Sequence, residues 1–103
     1  MIARVWRGVV RREHADEYAD YIRETGFNAY GRTDGNRGAW LLQDDSGDRT
    51  EFVAFSLWDS ADAIRAFAGD EIATAVYYDK DDEYLIERDE TVAHYEVIDD
   101  GGG

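Results

Sequence analysis

The residues best suited to chemistry in this chain are two histidines, a set of tyrosines and tryptophans, and an acidic run late in the sequence. His94 has an imidazole that titrates near neutral pH, the usual mover of a proton. It has no Asp or Ser at the spacing of a nucleophilic triad, so a hydrogen-bonded interface histidine is the stronger reading. His14, at the start of a predicted helix, reads as solvated. Tyr77 carries an oxygen that both donates and accepts. It could orient a bound molecule, ligate a ferric iron as a phenolate, or sit in the core with its hydroxyl at a pocket edge. Asp79, Asp81, Asp82 and Glu83 look like half a calcium loop, but lack the Gly turn and the distal Glu, so they read as a solvated face. There is no glycine-rich phosphate loop, no His pair at metal spacing and no nucleophile elbow. Neither a metal nor a nucleotide cofactor is implied.

The elements that must position these residues follow from apolar spacing. Ile2 to Arg11 reads as a first strand, and Ala15, Tyr18, Ala19 and Ile22 form a helical stripe that should end at Gly26. Gly31, Asp34 and Gly35 offer turns before a strand over Arg37 to Asp44, and Asp45 to Arg49 closes a hairpin. Glu51 to Trp58 is apolar almost throughout, which predicts a strand buried on both faces. Asp59 or Ser60 can cap the next helix, whose stripe of Ala63, Ile64, Phe67 and Ala68 ends at Gly69. Trp58, between strand and cap, reads as a packing anchor. Glu71 to Tyr78 is expected to add a helical turn or two, Asp79 to Asp89 an acidic loop with a short helical stretch, and Thr91 to Ile98 the last strand. On that strand Ala93, Tyr95 and Val97 are the more apolar set and should face the helices, which turns His94 toward the barrel or a partner subunit. The order β-α-β-β-α-β specifies a ferredoxin-like α+β domain over residues 1–98, with a flexible acidic and glycine tail at 99–103. The sheet face left bare by the helices predicts a homodimer.

Composition narrows the setting. A chain of 103 residues suits one domain that buries roughly 60 to 70% of its unfolded surface. With no cysteine, disulfides and thiolate metal sites are excluded. No apolar run approaches the roughly 20 residues of a membrane span, and the N-terminus reads as a strand rather than a secretion signal, so a cytoplasmic protein is expected. Asp and Glu outnumber Lys and Arg by 24 to 11, a formal net charge of −13. Such self-repulsion disfavours a compact state in dilute buffer. At about 1 M salt the Debye length falls to roughly 3 Å and screens it. Asp is preferred over Glu and Lys80 is the sole lysine, a balance similar to that of salt-in halophilic archaea. A surface of one negative sign also argues against nucleic acid and anionic membranes as partners.

Several segments carry a resemblance: Gly35-Asn36-Arg37-Gly38-Ala39, Trp58-Asp59-Ser60, Ala66-Phe67-Ala68-Gly69, Tyr77-Tyr78 and His94-Tyr95-Glu96. Across residues 2–98 the chain resembles the antibiotic biosynthesis monooxygenase family of the dimeric α+β barrel superfamily. The resemblance implies a homodimer whose sheets form a barrel, with a small-molecule pocket in each subunit between sheet and helices. It also implies one of three activities: cofactor-independent oxygenation of an aromatic or quinol-like substrate, haem binding or degradation, or non-catalytic, stress-linked ligand binding. In the haem-degrading branch an Asn on the first strand, a Trp in the second helix and a later His define the haem site. The matching places here hold Arg7, Phe67 and Tyr77, all different, which leaves haem the second choice and no cofactor the first.

A cofactor-free oxygenase needs a dry aromatic pocket, a proton acceptor and an anion stabiliser, because its deprotonated substrate must itself reduce dioxygen. Trp6, Phe67, Tyr77 and Tyr78 are the candidate walls. Arg7 is the candidate fixed charge, and His94 or a phenol the candidate proton carrier. Small residues at Gly8, Gly38, Ala54 and Ser56 beside large aromatics could leave a cavity above the sheet, or could simply be close-packed.

Overall fold

The computed structural model describes residues 1–99 and 101. The expected tail over residues 99–103 therefore falls, at 100, 102 and 103, outside the described residues. β1 (Ile2–Arg11) is the central strand, paired antiparallel along its full length with β3 (Arg49–Trp58). β2 (Asn36–Ser46) lies on the far side of β3. The other edge of β1 takes two short strands in line, β4 (Leu85–Arg88) and β5 (Ala93–Glu96). β5 lies within the last strand expected over Thr91 to Ile98, whereas β4 forms in the stretch expected to be an acidic loop, and a buckle over residues 89–92 separates the two. The result is an antiparallel α+β sheet with its helices on one face, as the element order predicts.

Alternation along β3 corrects one expectation. Thr50, Phe52, Ala54, Ser56 and Trp58 are buried, while Glu51, Val53, Phe55 and Leu57 are only half-buried. The helices cover the first set; in the single chain the second set is left partly open. Strand parity then assigns every neighbour to an inner or an outer face. Trp6 and Val10 belong to the inner core, where they meet Tyr18, Ala19 and Ile22.

The first helical segment begins with one tight turn (Arg12–His14), continues as α1 (Ala15–Ile22), widens into a π-turn (Arg23–Phe27) and resumes as α2 (Asn28–Arg32). The helix therefore runs through Gly26 instead of stopping there. Glycine inside a helix costs about 0.5–1 kcal/mol. Burial beyond it outweighs that, since Tyr30 joins Trp58 and Ile64 in a second core against which Phe27 packs. α3 (Ala61–Ala68) is capped by Ser60, whose side chain accepts from the Ala63 N–H, and it ends at Gly69, whose φ of 84° few other residues adopt.

Residues 71–78 are not helical. Their backbone is spent on the buckled edge: Ala75 N–H donates to Glu90 O at 3.0 Å, Val92 N–H donates to Ala73 O at 2.8 Å, and Thr74 bridges Thr91. Tertiary pairing overrides a helical reading that β-branched Ile72, Thr74 and Val76 supported poorly. This strap leads into α4 (Asp81–Tyr84), the short helix expected within the acidic stretch. Among the described residues no helix is long and apolar enough to cross a membrane.

Candidate active site

A half-open cavity of about 50 Å³ lies between the inner face of the sheet and the helices. Arg4, Trp6, Ala54 and Val92 form its floor. Tyr18, Ile22, Phe27 and Tyr30 from the long helix and Phe67 from α3 form the roof, and Val76, Tyr77, Tyr78 and Asp81 close the side. Thr25 and Gly26 also line it, so the widened π-turn is part of the wall, a common place for such turns. Of the four small residues that suggested a cavity, only Ala54 borders it. The Trp6 ring lies over Gly8, the Trp40 ring over Gly38, and Ser56 accepts a hydrogen bond from the Trp58 indole at 2.9 Å.

The structure brings together Trp6, Phe67, Tyr77 and Tyr78. Trp6 Nε1 donates to the Tyr77 hydroxyl at 3.0 Å, and that hydroxyl donates to the Asp89 carbonyl. The Arg88 guanidinium sits 4.5 Å from the Tyr77 ring centre. Tyr77 is thus held at ring and oxygen alike. Burial is the main cause that raises its pKa, with Trp6 and Arg88 pulling the other way, so the phenol stays protonated at neutral pH.

Arg7 does not join them. An odd spacing from Arg4 puts it on the outer face opposite Val53, half-exposed and paired with Glu51. The buried cation is Arg4, which sequence reasoning passed over. It is 3% exposed; Nη1 donates to Ile72 O and to His94 Nε2 at 3.0 Å, and Nη2 donates to Thr74 O at 3.3 Å. The signal was available, because Arg4 and Trp6 two residues apart on a strand must share a face.

His94 corrects the expected facing of β5. It registers against Arg4 and shares its inner face, whereas Tyr95 pairs with Ala3 and is 60% exposed. An arginine has only donors to offer, so His94 Nε2 accepts and the proton sits on Nδ1. Burial, then the Arg4 charge, lowers the His94 pKa from 6.5. His94 is therefore a neutral prop for Arg4, and its accepting nitrogen is occupied.

Asp81 is the second residue missed. It was read as part of a solvated acidic face, yet it is 5% exposed. Tyr18 Oη donates to its Oδ1 at 2.8 Å and the Tyr78 N–H to its Oδ2 at 2.6 Å. Burial first, and Asp81 second, hold the Tyr18 phenol far above its ordinary pKa, so Tyr18 remains the donor. A carboxylate has about four acceptor positions, two of them are used, and Asp81 borders the cavity. An aromatic cavity thus holds one buried cation and one buried carboxylate.

No family model matches the sequence, and no curated protein matches it. Solved structures do match. A candidate antibiotic biosynthesis monooxygenase from Bacillus cereus superposes with a TM-score of 0.67 at 18% identity, over 95% of this chain and 93% of that one. The fold is that of the antibiotic biosynthesis monooxygenase-like proteins. The Rv0793 protein of Mycobacterium tuberculosis gives 0.65 at 19% identity, with 97% of each chain covered. The haem degrader MhuD of the same organism, with two haems bound in its active site, gives 0.60 at 19% identity, over 97% of this chain and 98% of that one. At these identities the likeness fixes the fold, and function must be argued from the residues.

A haem would need an iron ligand and room. The Tyr77 oxygen is engaged on both sides and protonated, His94 Nε2 is engaged by Arg4, and a half-open cavity of about 50 Å³ can admit part of a small molecule but not a haem. In this conformation the residues do not fit a haem. Among the described residues no group of acidic or histidine side chains could hold a metal ion either.

Proposed function

We propose that this protein binds a small aromatic molecule in the inner-face cavity and oxygenates it without a cofactor. The carrying observation is that buried Asp81 and buried Arg4, which make no contact with each other, both line one aromatic chamber. Asp81 takes a proton from the substrate, and Arg4 holds the negative charge that results. The electron pair so released reduces dioxygen. For a methylene carbon, one oxygen atom becomes the new carbonyl and the other leaves as water with the two hydrogens. Trp6, Phe67, Tyr77 and Tyr78 supply the dry walls, and His94 positions Arg4.

The protein acts as a homodimer in this reading. Trp40 and Leu42 are exposed on the outer face beside half-buried Val53 and Phe55, and Trp40 packs on Phe55 at 5.9 Å. A second copy is the simplest cover for such a surface. Light scattering in molar salt should report twice the chain mass of 11.7 kDa. The acidic surface supports work in a concentrated, salt-rich cytoplasm.

Oxygen consumption with a panel of quinols and polyphenols in molar KCl tests the activity. Uptake with at least one member supports it. No uptake across the panel overturns it and leaves a ligand-binding dimer. The haem reading, which the fold of MhuD keeps in view, requires the cavity to open and Tyr77 or His94 to surrender its present bond.

A further inference from the structure

We infer that the ligand of this cavity is an organic monoanion, held by its acidic oxygen on the Nε edge of Arg4 and turning a hydrogen-bond donor toward Asp81. The inference deepens the functional reading above and rests on the cavity being a ligand site. Three observations carry it.

Arg4 is a buried charge without a counter-ion. Among the described residues no carboxylate pairs with it, although the chain has 24 acidic residues and pairs Arg7, Arg12, Arg23, Arg37, Arg49, Arg65 and Arg88 with them. Two carbonyls and a neutral imidazole hold the guanidinium in place without cancelling its charge. Removing a charge from water is costly unless a partner meets it. In so acidic a protein, the one deeply buried arginine left without a carboxylate marks a place kept for a negative ligand.

The geometry leaves the right donors over. A guanidinium has five N–H groups, and three are used. Both hydrogens of Nη1 and one of Nη2 are taken. Nε–H and the other Nη2 hydrogen remain, and a fork of this kind accepts a carboxylate or an enolate. No buried side-chain nitrogen is left without a partner among the described residues, so Nε, which makes no bond, is not sealed from solvent, and Arg4 borders the cavity. The Phe67 ring lies 5.8 Å from the guanidinium carbon and offers a planar ligand a surface beside it.

Asp81 sets the polarity of the ligand. A second anionic group near Asp81 would be repelled, whereas a hydroxyl or an acidic C–H would find an acceptor. One negative end and one donor end are therefore required. A cavity of about 50 Å³ holds the polar end of such a molecule, and the half-open mouth takes the remainder.

The test uses 4-hydroxybenzoate and its neutral twin 4-hydroxybenzamide, which share shape and donor and differ in charge. Binding to the wild-type protein is measured by calorimetry in KCl held constant. The inference predicts that the acid binds at least about tenfold tighter than the amide. It also predicts that Arg4→Gln, checked for folding by circular dichroism, loses that preference. Equal or tighter binding of the amide overturns the inference while leaving the ligand site standing. A folded Arg4→Gln that keeps the preference also overturns it. No binding of either compound overturns both. If Arg4→Gln does not fold, the acid–amide ratio of the wild type decides alone.

Discussion

Arg4 Nη1 donates to His94 Nε2 at 3.0 Å across the register that pairs β1 with β5. This bond determines what each residue can do. It fixes the imidazole as neutral, removes its basic nitrogen from proton transfer, and aims a permanent charge at the cavity.

A pH dependence follows. The His94 pKa is lowered in the folded state, so the unfolded chain binds that proton more readily. The contribution is complete above about 6.5 and is lost as pH falls from there through the lowered folded value. The slope of stability against pH between about 7 and 6 should flatten in His94→Gln. Urea unfolding at stepped pH reads it; an unchanged slope would mean that the imidazole does not titrate as a buried prop.

Asp81→Asn should cost stability and activity separately. The amide offers one oxygen where two donors, Tyr18 Oη and the Tyr78 N–H, now find one each. Leaving one unsatisfied costs about 1–3 kcal/mol. The same change removes the proton acceptor and should lower the rate of oxygen uptake about 100-fold or more. A folded variant with undiminished uptake would assign the proton to another group.

Gly8→Ala probes the packing beneath Trp6. A methyl group there would collide with the Trp6 ring at Cη2 and meet Leu85 Cδ2 at 2.8 Å. The ring must shift, which costs about 1–3 kcal/mol and strains its bond to Tyr77. Thermal unfolding should register the loss, together with a change in Trp6 fluorescence; a neutral substitution would show the ring to be loosely held.

Salt should stabilise this protein strongly. With a net charge of −13, raising KCl from about 0.1 M to about 2 M screens repulsion that the exposed ion pairs only partly relieve. The melting temperature is expected to rise throughout that range, and a flat response would show that the acidic surface is not self-repelling.

Haemin offers a further check on the donor set. With Tyr77 and His94 both engaged, titration should give neither a Soret shift nor stoichiometric binding. A saturable shift would show that the cavity opens and that one of these bonds is released.

Much of the fold was legible because strand parity and helix stripes depend on local spacing. The full length of β1, a helix cap at Asp59 or Ser60 and the stop at Gly69 all followed from residue types alone, and the structure gives the cap to Ser60. The candidate site was legible in its walls and not in its charges. Trp6, Phe67, Tyr77 and Tyr78 are aromatic wherever they point, but whether Arg4 or Arg7 faces inward depends on the register of β1. Asp81 looked like any other surface acid because its burial comes from Tyr18, sixty-three positions away. The strap over residues 71–78 was misread for the same reason, since its partners lie on the buckle between β4 and β5.

The chain contains three tryptophans, and their indole N–H signals in a nitrogen-15 correlation spectrum separate the possible ligand sites directly. Trp6 borders the cavity, Trp58 is sealed in the second core, and Trp40 is 49% exposed on the outer face. On titration with 4-hydroxybenzoate, or with any substrate found by oxygen uptake, the Trp6 signal should move in a saturable way while those of Trp40 and Trp58 stay in place. A saturable shift of Trp40 with Trp6 unmoved would put the ligand on the outer face and contradict the account.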